Sequence, residues 1–356
     1  MLKNKLLAIQ NKAKERTVKT QNIEYDLETM VKKITKGVVR LNPEYQRKHR
    51  WTDEYSSKLI ESLILNIPVP LIYISQDIDV DEEVDEEIAR YSVIDGQQRL
   101  TAIHNFLTNK TALVGLEVLD DLNGLKYNQL PPFLIRRLEE RTIRCLRIDS
   151  TIDSQVKYDI FERLNSGSVK LEPQELRNAT CRGAFKDLIK ELVGNKPFIK
   201  AISISESKIE KMEDEELVLR YFALSYDDGY KSYKGYFKNF LTAKMTEFNE
   251  FDSDRLALMK NNFIQSFKIL ENSKIELPFA KFKTENKKLS KMSNFNVAVY
   301  DSLIVPLSKM KKSNIVDINI FRALSSDAEY FRAIEGSTND VSKVHLRIDK
   351  AIEALL

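Results

Sequence analysis

The chain has 356 residues, is 42% hydrophobic and 31% charged, and carries a formal net charge of +3. That length holds two domains, and the composition is that of a globular protein, not of a disordered or fibrous one. No apolar run nears the roughly 20 residues of a membrane helix, no apolar leader follows Lys3, and the two cysteines, Cys145 and Cys181, are not spaced as a metal clip or a disulfide scaffold, so a reduced, cytoplasmic protein is expected.

The charge is segregated along the chain. Residues 1–20 hold six Lys/Arg and one Glu, residues 77–87 hold eight acids and no base, and residues 281–291 hold five Lys and one Glu. Each run is a solvated surface by default; the basic runs also suit contact with nucleic-acid phosphates, which the acidic run would repel.

In chain order, residues 1–21 form a basic segment with modest helical periodicity. Leu27 to Ile34 predicts a helix stopped by Gly37. Val38 to Leu41 predicts a short strand, followed by the loop Asn42-Pro43-Glu44-Tyr45-Gln46-Arg47. Thr52 is placed to cap the next helix, Asp53 and Glu54 favour its positive end, and Leu59, Ile60, Leu63 and Ile64 form its apolar face. Pro68 and Pro70 close that segment before a buried strand, Leu71 to Ile74. Beyond the acidic insert, Tyr91 to Ile94 reads as a strand that runs into Asp95-Gly96-Gln97-Gln98-Arg99 and then a helix, Leu100 to Leu107. Pro131 and Pro132 open a helix through Glu140, Thr142 to Ile148 is a strand, and Ser154 to Leu164 and Pro173 to Thr180 are helices. After about residue 181 strand signals fade, and helices are expected near 184–193, 214–226, 231–248, 253–271, 293–305 and 338–355. The fold class is therefore α+β: an N-terminal α+β domain over residues 22–180, then an α-helical domain over 181–356.

Absences narrow the chemistry. There is no G-x-x-x-x-G-K-[ST], no G-x-G-x-x-G behind a strand and no G-x-S-x-G. His49, His104 and His345 lie far apart and form no metal-nuclease cluster. His104 reads as an ordinary packed or surface residue, whereas His49, in a basic loop, can contact an anion.

Three polar islands remain. They are Tyr45-Gln46-Arg47 before Trp51, Asp95 to Arg99, and Phe161 to Gly167 followed by Gln174-Glu175-Leu176-Arg177-Asn178. A glycine turn between strand and helix concentrates backbone N–H groups, a helix dipole and an Arg, which is the chemistry of a phosphate site. Asp95 can hold Arg99, accept a proton or bind Mg²⁺ through water. Asn165-Ser166-Gly167 can present N–H groups as a small nest. Each island alone is a local cap or turn; together in one domain they suggest a shared pocket.

The same blocks carry a family resemblance. Tyr45-Gln46-Arg47 with Trp51, Leu59 to Ile64 with Ile67-Pro68-Val69-Pro70, Val93 to Ala102, Phe161-x-Arg163-Leu164-Asn165-Ser166-Gly167, Gln174 to Asn178 and Asp214 to Arg220 occur in the order and spacing of the DGQQR-motif domain. This segment, roughly residues 22–226, resembles the GmrS subunit of GmrSD-type (type IV, modification-dependent) restriction systems. The resemblance implies a ParB/sulfiredoxin-like fold, binding and in some members hydrolysis of an NTP (GTP or ATP, with Mg²⁺), and a link to DNA restriction. Carried over by position, it implies a catalytic set of Asp95, Gln97, Gln98 and Arg99, with Asp95 the metal residue and Arg47, Gly96, Arg163, Asn165 and Ser166 as nucleotide neighbours. Family members often carry or are paired with an HNH-type nuclease; this chain has no D-H-x-x-P motif after residue 226, so cleavage would fall to a partner. A DNA-binding module without turnover is the alternative, with Arg47, Lys48, Arg50, Lys287 and Lys288 along a phosphate track and Trp51 or Tyr45 stacking on a base. A regulatory scaffold recruiting a nuclease is the third reading. DNA, modified or not, is the expected partner in the first two; a homo-oligomer is compatible with all three.

Overall fold

The computed structural model describes residues 18–41, 51–76, 90–149, 154–164, 172–285, 288–311 and 315–356. The chain divides into two compact units, Met1–Leu171 and Glu172–Leu356. The architecture is α+β, with the sheet in the first unit and a mainly helical second unit.

The first unit is built on a five-stranded mixed sheet of order β1-β5-β3-β4-β2. β1 (Thr20–Asp26) pairs antiparallel with β5 (Thr142–Ile148) from Thr20↔Ile148 to Asp26↔Thr142. β3 (Ile72–Gln76) lies parallel to β5 and antiparallel to β4 (Tyr91–Asp95), whose other neighbour is the two-residue parallel strand β2 (Val39–Arg40). The last residue of β1 starts the next element: Asp26 Oδ1 accepts from Thr29 N at 2.6 Å and caps α1 (Leu27–Thr35). Gly37, at φ +75°, turns the chain out of that helix. Thr52 caps α2 (Asp53–Ile64), as its position predicts. These two helices, with α3 (Gln97–Leu107) and α4 (Pro132–Glu139), bury Leu27, Met30, Ile60, Leu63, Leu100, Ile103, Phe106 and Leu138 in one cluster with Ile72, Ile74, Val93, Ile143 and Cys145 of the sheet. Ile94 points to the opposite face from Val93 and is buried as well; α5 (Ser154–Leu164) packs on β4.

The second unit begins with α6 (Pro173–Thr180), α7 (Ala184–Leu192), α8 (Lys196–Ile202) and α9 (Glu206–Ile209). It continues through α10 (Glu213–Ser225), α11 (Phe237–Asn249) and α12 (Ser253–Asn272). It closes with α13 (Val297–Lys309), α14 (Ile318–Ser326), α15 (Ala328–Ala333) and α16 (Val341–Leu355). Its core is aromatic: the rings of Phe198, Tyr221, Phe222, Phe263 and Phe267 contact one another, Phe263 and Phe267 at 4.7 Å between centroids. α13 is buried almost throughout and tolerates Pro306 three residues before its end.

Several expectations need correction here. The lysine-rich stretch near 281–291 is a β-hairpin, β6 (Lys281–Glu285) antiparallel to β7 (Lys288–Ser293), in a region where strands were not expected. The helix expected from 293 therefore begins only at Val297. The one expected from 231 begins at Phe237, because a 3₁₀ segment with Asp227 and Asp228 in the left-handed region intervenes. No described helix is long and apolar enough to cross a membrane, and Cys145 and Cys181 are buried and form no disulfide.

Candidate functional site

Asp95, Gly96, Gln97, Gln98 and Arg99 form one tight turn where β4 passes into α3. Gly96 sits at φ +96°, ψ 11°, the left-handed region that an L side chain adopts only under strain. A Cβ there would also come within 2.3 Å of Ile72 Cδ1. Glycine is thus required twice, by conformation and by packing. Leu100 N donates to Gly96 O at 2.9 Å to close the first helical turn. The N-cap residue, Gly96, has no side chain with which to cap α3, and the first turn holds no acid. The leading N–H groups, which an α-helix cannot satisfy internally, stand at the positive end of the dipole.

Arg99 does something its position in the motif does not announce. Its Nη1 donates to the carbonyls of Pro70 (2.5 Å) and Leu71 (3.1 Å), and its Nη2 donates to Asp95 Oδ2 at 2.8 Å. The guanidinium is a latch that ties the Ile67-Pro68-Val69-Pro70 block to the turn. Its side chain is only 12% exposed against 35% for Asp95. Burial pushes the guanidinium below its ordinary pKa, against the opposing pull of Asp95. Three of its five N–H vectors are engaged, so any anion it helps to hold meets the remaining Nε and Nη2 hydrogens. Gln97 is buried and Gln98 half-buried, both partnered within the chain.

The Leu59 to Ile64 block is likewise structural. Glu61 is buried, and its Oε1 accepts from Val118 N (3.0 Å) and Leu119 N (2.8 Å); Ser57 Oγ accepts from Val114 N (2.9 Å). α2 thus fixes the segment after α3. Trp51 packs half-buried against the same core. His104 is half-buried, 3.3 Å from Thr35 Oγ1, and burial lowers its pKa.

Arg163 lies exposed in the last turn of α5. Arg47, Lys48, Arg50, Asn165, Ser166 and Lys287 fall outside the described residues, and Lys288 opens β7.

The Gln174 to Asn178 block departs from the expectation of a shared pocket. All five residues are buried, and they bond within the helical unit: Arg177 Nη1 to Gln174 Oε1 (2.7 Å) and Glu216 Oε2 (3.0 Å), and Asn178 Nδ2 to Glu215 Oε2 (2.6 Å). Glu216 continues the chain to Arg220 Nε (2.9 Å). Arg220 Nη1 and Arg347 Nη2 then converge on Asp301 Oδ2 at 3.1 and 2.9 Å. Burial alone would raise the Glu216 carboxyl, but Arg220 and Arg177 outweigh it and hold it at about 2. Arg177 and Asn178 of the block meet carboxylates 39 and 37 residues later in sequence, which no local pattern reveals.

Residues 27–181 match the family model of the GmrSD restriction endonuclease N-terminal domain. The match starts at the first residue of α1 and ends one residue past α6. No curated protein matches the chain.

Proposed function

We propose that this chain, whose residues 27–181 belong to the GmrSD N-terminal domain family and mark it as a component of a restriction and phage-defence system, binds an NTP at the Asp95–Arg99 turn. Nucleotide binding there, with hydrolysis as its chemical step, would be coupled to DNA recognition or to cleavage by a partner nuclease. The observation that carries the reading is the acid-free start of α3 at left-handed Gly96, beside a partly buried Arg–Asp pair. Phosphate oxygens suit the positive end of α3.

In this reading Arg99 positions the turn and lends charge through its remaining hydrogens. Asp95, with Oδ2 on Arg99, keeps Oδ1 for a water or for Mg²⁺ through water. Gln98, the more exposed amide, is the better placed of the two to orient an attacking water. Arg163 would neutralise charge on the leaving phosphate. GTP and ATP share this phosphate chemistry, and nothing in the turn itself reads the base.

The test is nucleotide binding and phosphate release by the full chain with Mg²⁺, with and without DNA. Gln98→Glu adds a carboxylate to the first turn, so it should weaken binding by roughly tenfold or more, about 1.4 kcal/mol. Asp95→Ala should abolish release. Unchanged affinity in Gln98→Glu would remove the helix N-terminus from the site.

A further inference from the structure

A second cleft lies wholly within the helical unit. It encloses about 220 Å³ between the start of α6, helix α10 and the residues leading into α13. Pro173, Leu217, Phe295 and Val297 supply apolar walls, and Glu216 and Arg220 belong to a polar lining that also includes Gln174 and Lys211. The Arg220 guanidinium lies 4.4 Å from the centroid of the Phe237 ring, and its Nε and Nη1 are spent on Glu216 and Asp301. Among the described residues Nη2 has no acceptor, and it is not sealed from solvent. Each oxygen of Glu216 takes one guanidinium hydrogen and keeps a lone pair.

The wall therefore offers an N–H donor beside a carboxylate acceptor. Its charges are already balanced: Glu216 faces Arg177 and Arg220, Lys211 faces Glu172 at 3.7 Å, and Lys208 faces Glu213 at 2.9 Å. A charged ligand would surrender its hydration here without finding an uncommitted counter-charge. A neutral ligand that needs one donor and one acceptor matches both groups and packs on the apolar walls.

We propose that this cleft binds a small, flat, neutral heterocycle whose edge carries a carbonyl next to an N–H. The carbonyl accepts from Arg220 Nη2, the N–H donates to Glu216, and the ring packs on Phe295 and Val297. The site is independent of the Asp95 turn.

Uracil is a suitable probe, titrated into the full chain and followed by saturation-transfer NMR or calorimetry. Val297→Trp fills the cleft from a half-buried position, and Arg220→Lys keeps the charge but removes the fork. Both should weaken uracil binding by about tenfold or more, and so should replacing uracil with its N,N′-dimethyl derivative, which lacks the donor. Val297→Trp should keep the wild-type melting temperature, so loss of binding there is not loss of fold. Asp95→Ala should bind uracil as wild type does. The proposal is overturned if wild type shows no saturable binding, if Val297→Trp or the dimethyl compound binds as tightly, or if Asp95→Ala abolishes the signal.

Discussion

Two arginine centres divide the work of this molecule. At the Asp95 turn one Arg faces one carboxylate and two backbone carbonyls, and the helix beside it starts at a left-handed glycine with no acid in its first turn. In the helical unit, Arg177, Arg220 and Arg347 alternate with Glu216 and Asp301 in one continuous chain. The residue types are the same. The difference is where the acceptors come from: in the first, from residues within 30 positions; in the second, from carboxylates on helices distant in sequence, which face the guanidinium groups as charge partners.

The largest effect that would sharpen this contrast is loss of Asp301. Its side chain is 1% exposed and serves two guanidinium groups. Asp301→Ala should cost about 3–5 kcal/mol, because it strands buried positive charge; denaturant unfolding measures it. A loss below about 1 kcal/mol would mean that the chain of ion pairs does not organise the helical unit.

Next is Arg99→Ala, which leaves Asp95 and the Pro70 and Leu71 carbonyls without their donor. About 2–3 kcal/mol is expected, since hydrogen bonds to charged groups are the stronger kind. Arg99→Lys should recover part of the stability, because an ammonium reaches fewer of the three acceptors. Equal stability of Arg99→Ala and wild type would refute the latch. Gly96→Ala should cost about 1–2 kcal/mol from the left-handed backbone alone, with nucleotide affinity falling alongside. A Gly96→Ala protein that keeps both would show that the turn relaxes freely.

A smaller and slower signature is acid sensitivity. The Glu216 carboxyl is held at about 2 in the fold against an ordinary 4.5. A depressed carboxyl contributes stability above its unfolded pKa and loses it as pH falls toward the folded value. Glu216→Gln should therefore flatten the stability curve between about pH 4.5 and 2, compared with wild type. At the bottom of the scale stands the surface pair Lys58–Glu117 at 2.6 Å, both side chains largely in water. Lys58→Ala should leave the melting temperature unchanged, which calibrates the buried pairs against a solvated one.

What could be read from sequence, and what could not, follows the same division. Thr52, Pro132 and Pro173 mark helix starts by chemistry that acts within a few residues, and β5, α5 and α6 have the bounds their patterns predict. β1 escaped because it is an edge strand whose Gln21, Asn22 and Glu24 face solvent, so it lacks an apolar signature. β6 and β7 escaped because lysines dominate an exposed ribbon. Asn195 with Pro197 in α8, and Asp317 and Asp327 before α14 and α15, were legible cap signals that a reading centred on apolar periodicity passes over.

The sequence by itself determined the α+β class, most helix starts of the first unit and the glycine turn at residue 96, because caps, prolines and glycines act on their immediate neighbours. Only the tertiary structure decided which polar groups stay available. It brought Pro70 and Leu71 to Arg99, and Glu216, Asp301 and Arg347 to one buried line. Whether a donor is spent or left open depends on acceptors that packing delivers from elsewhere in the chain.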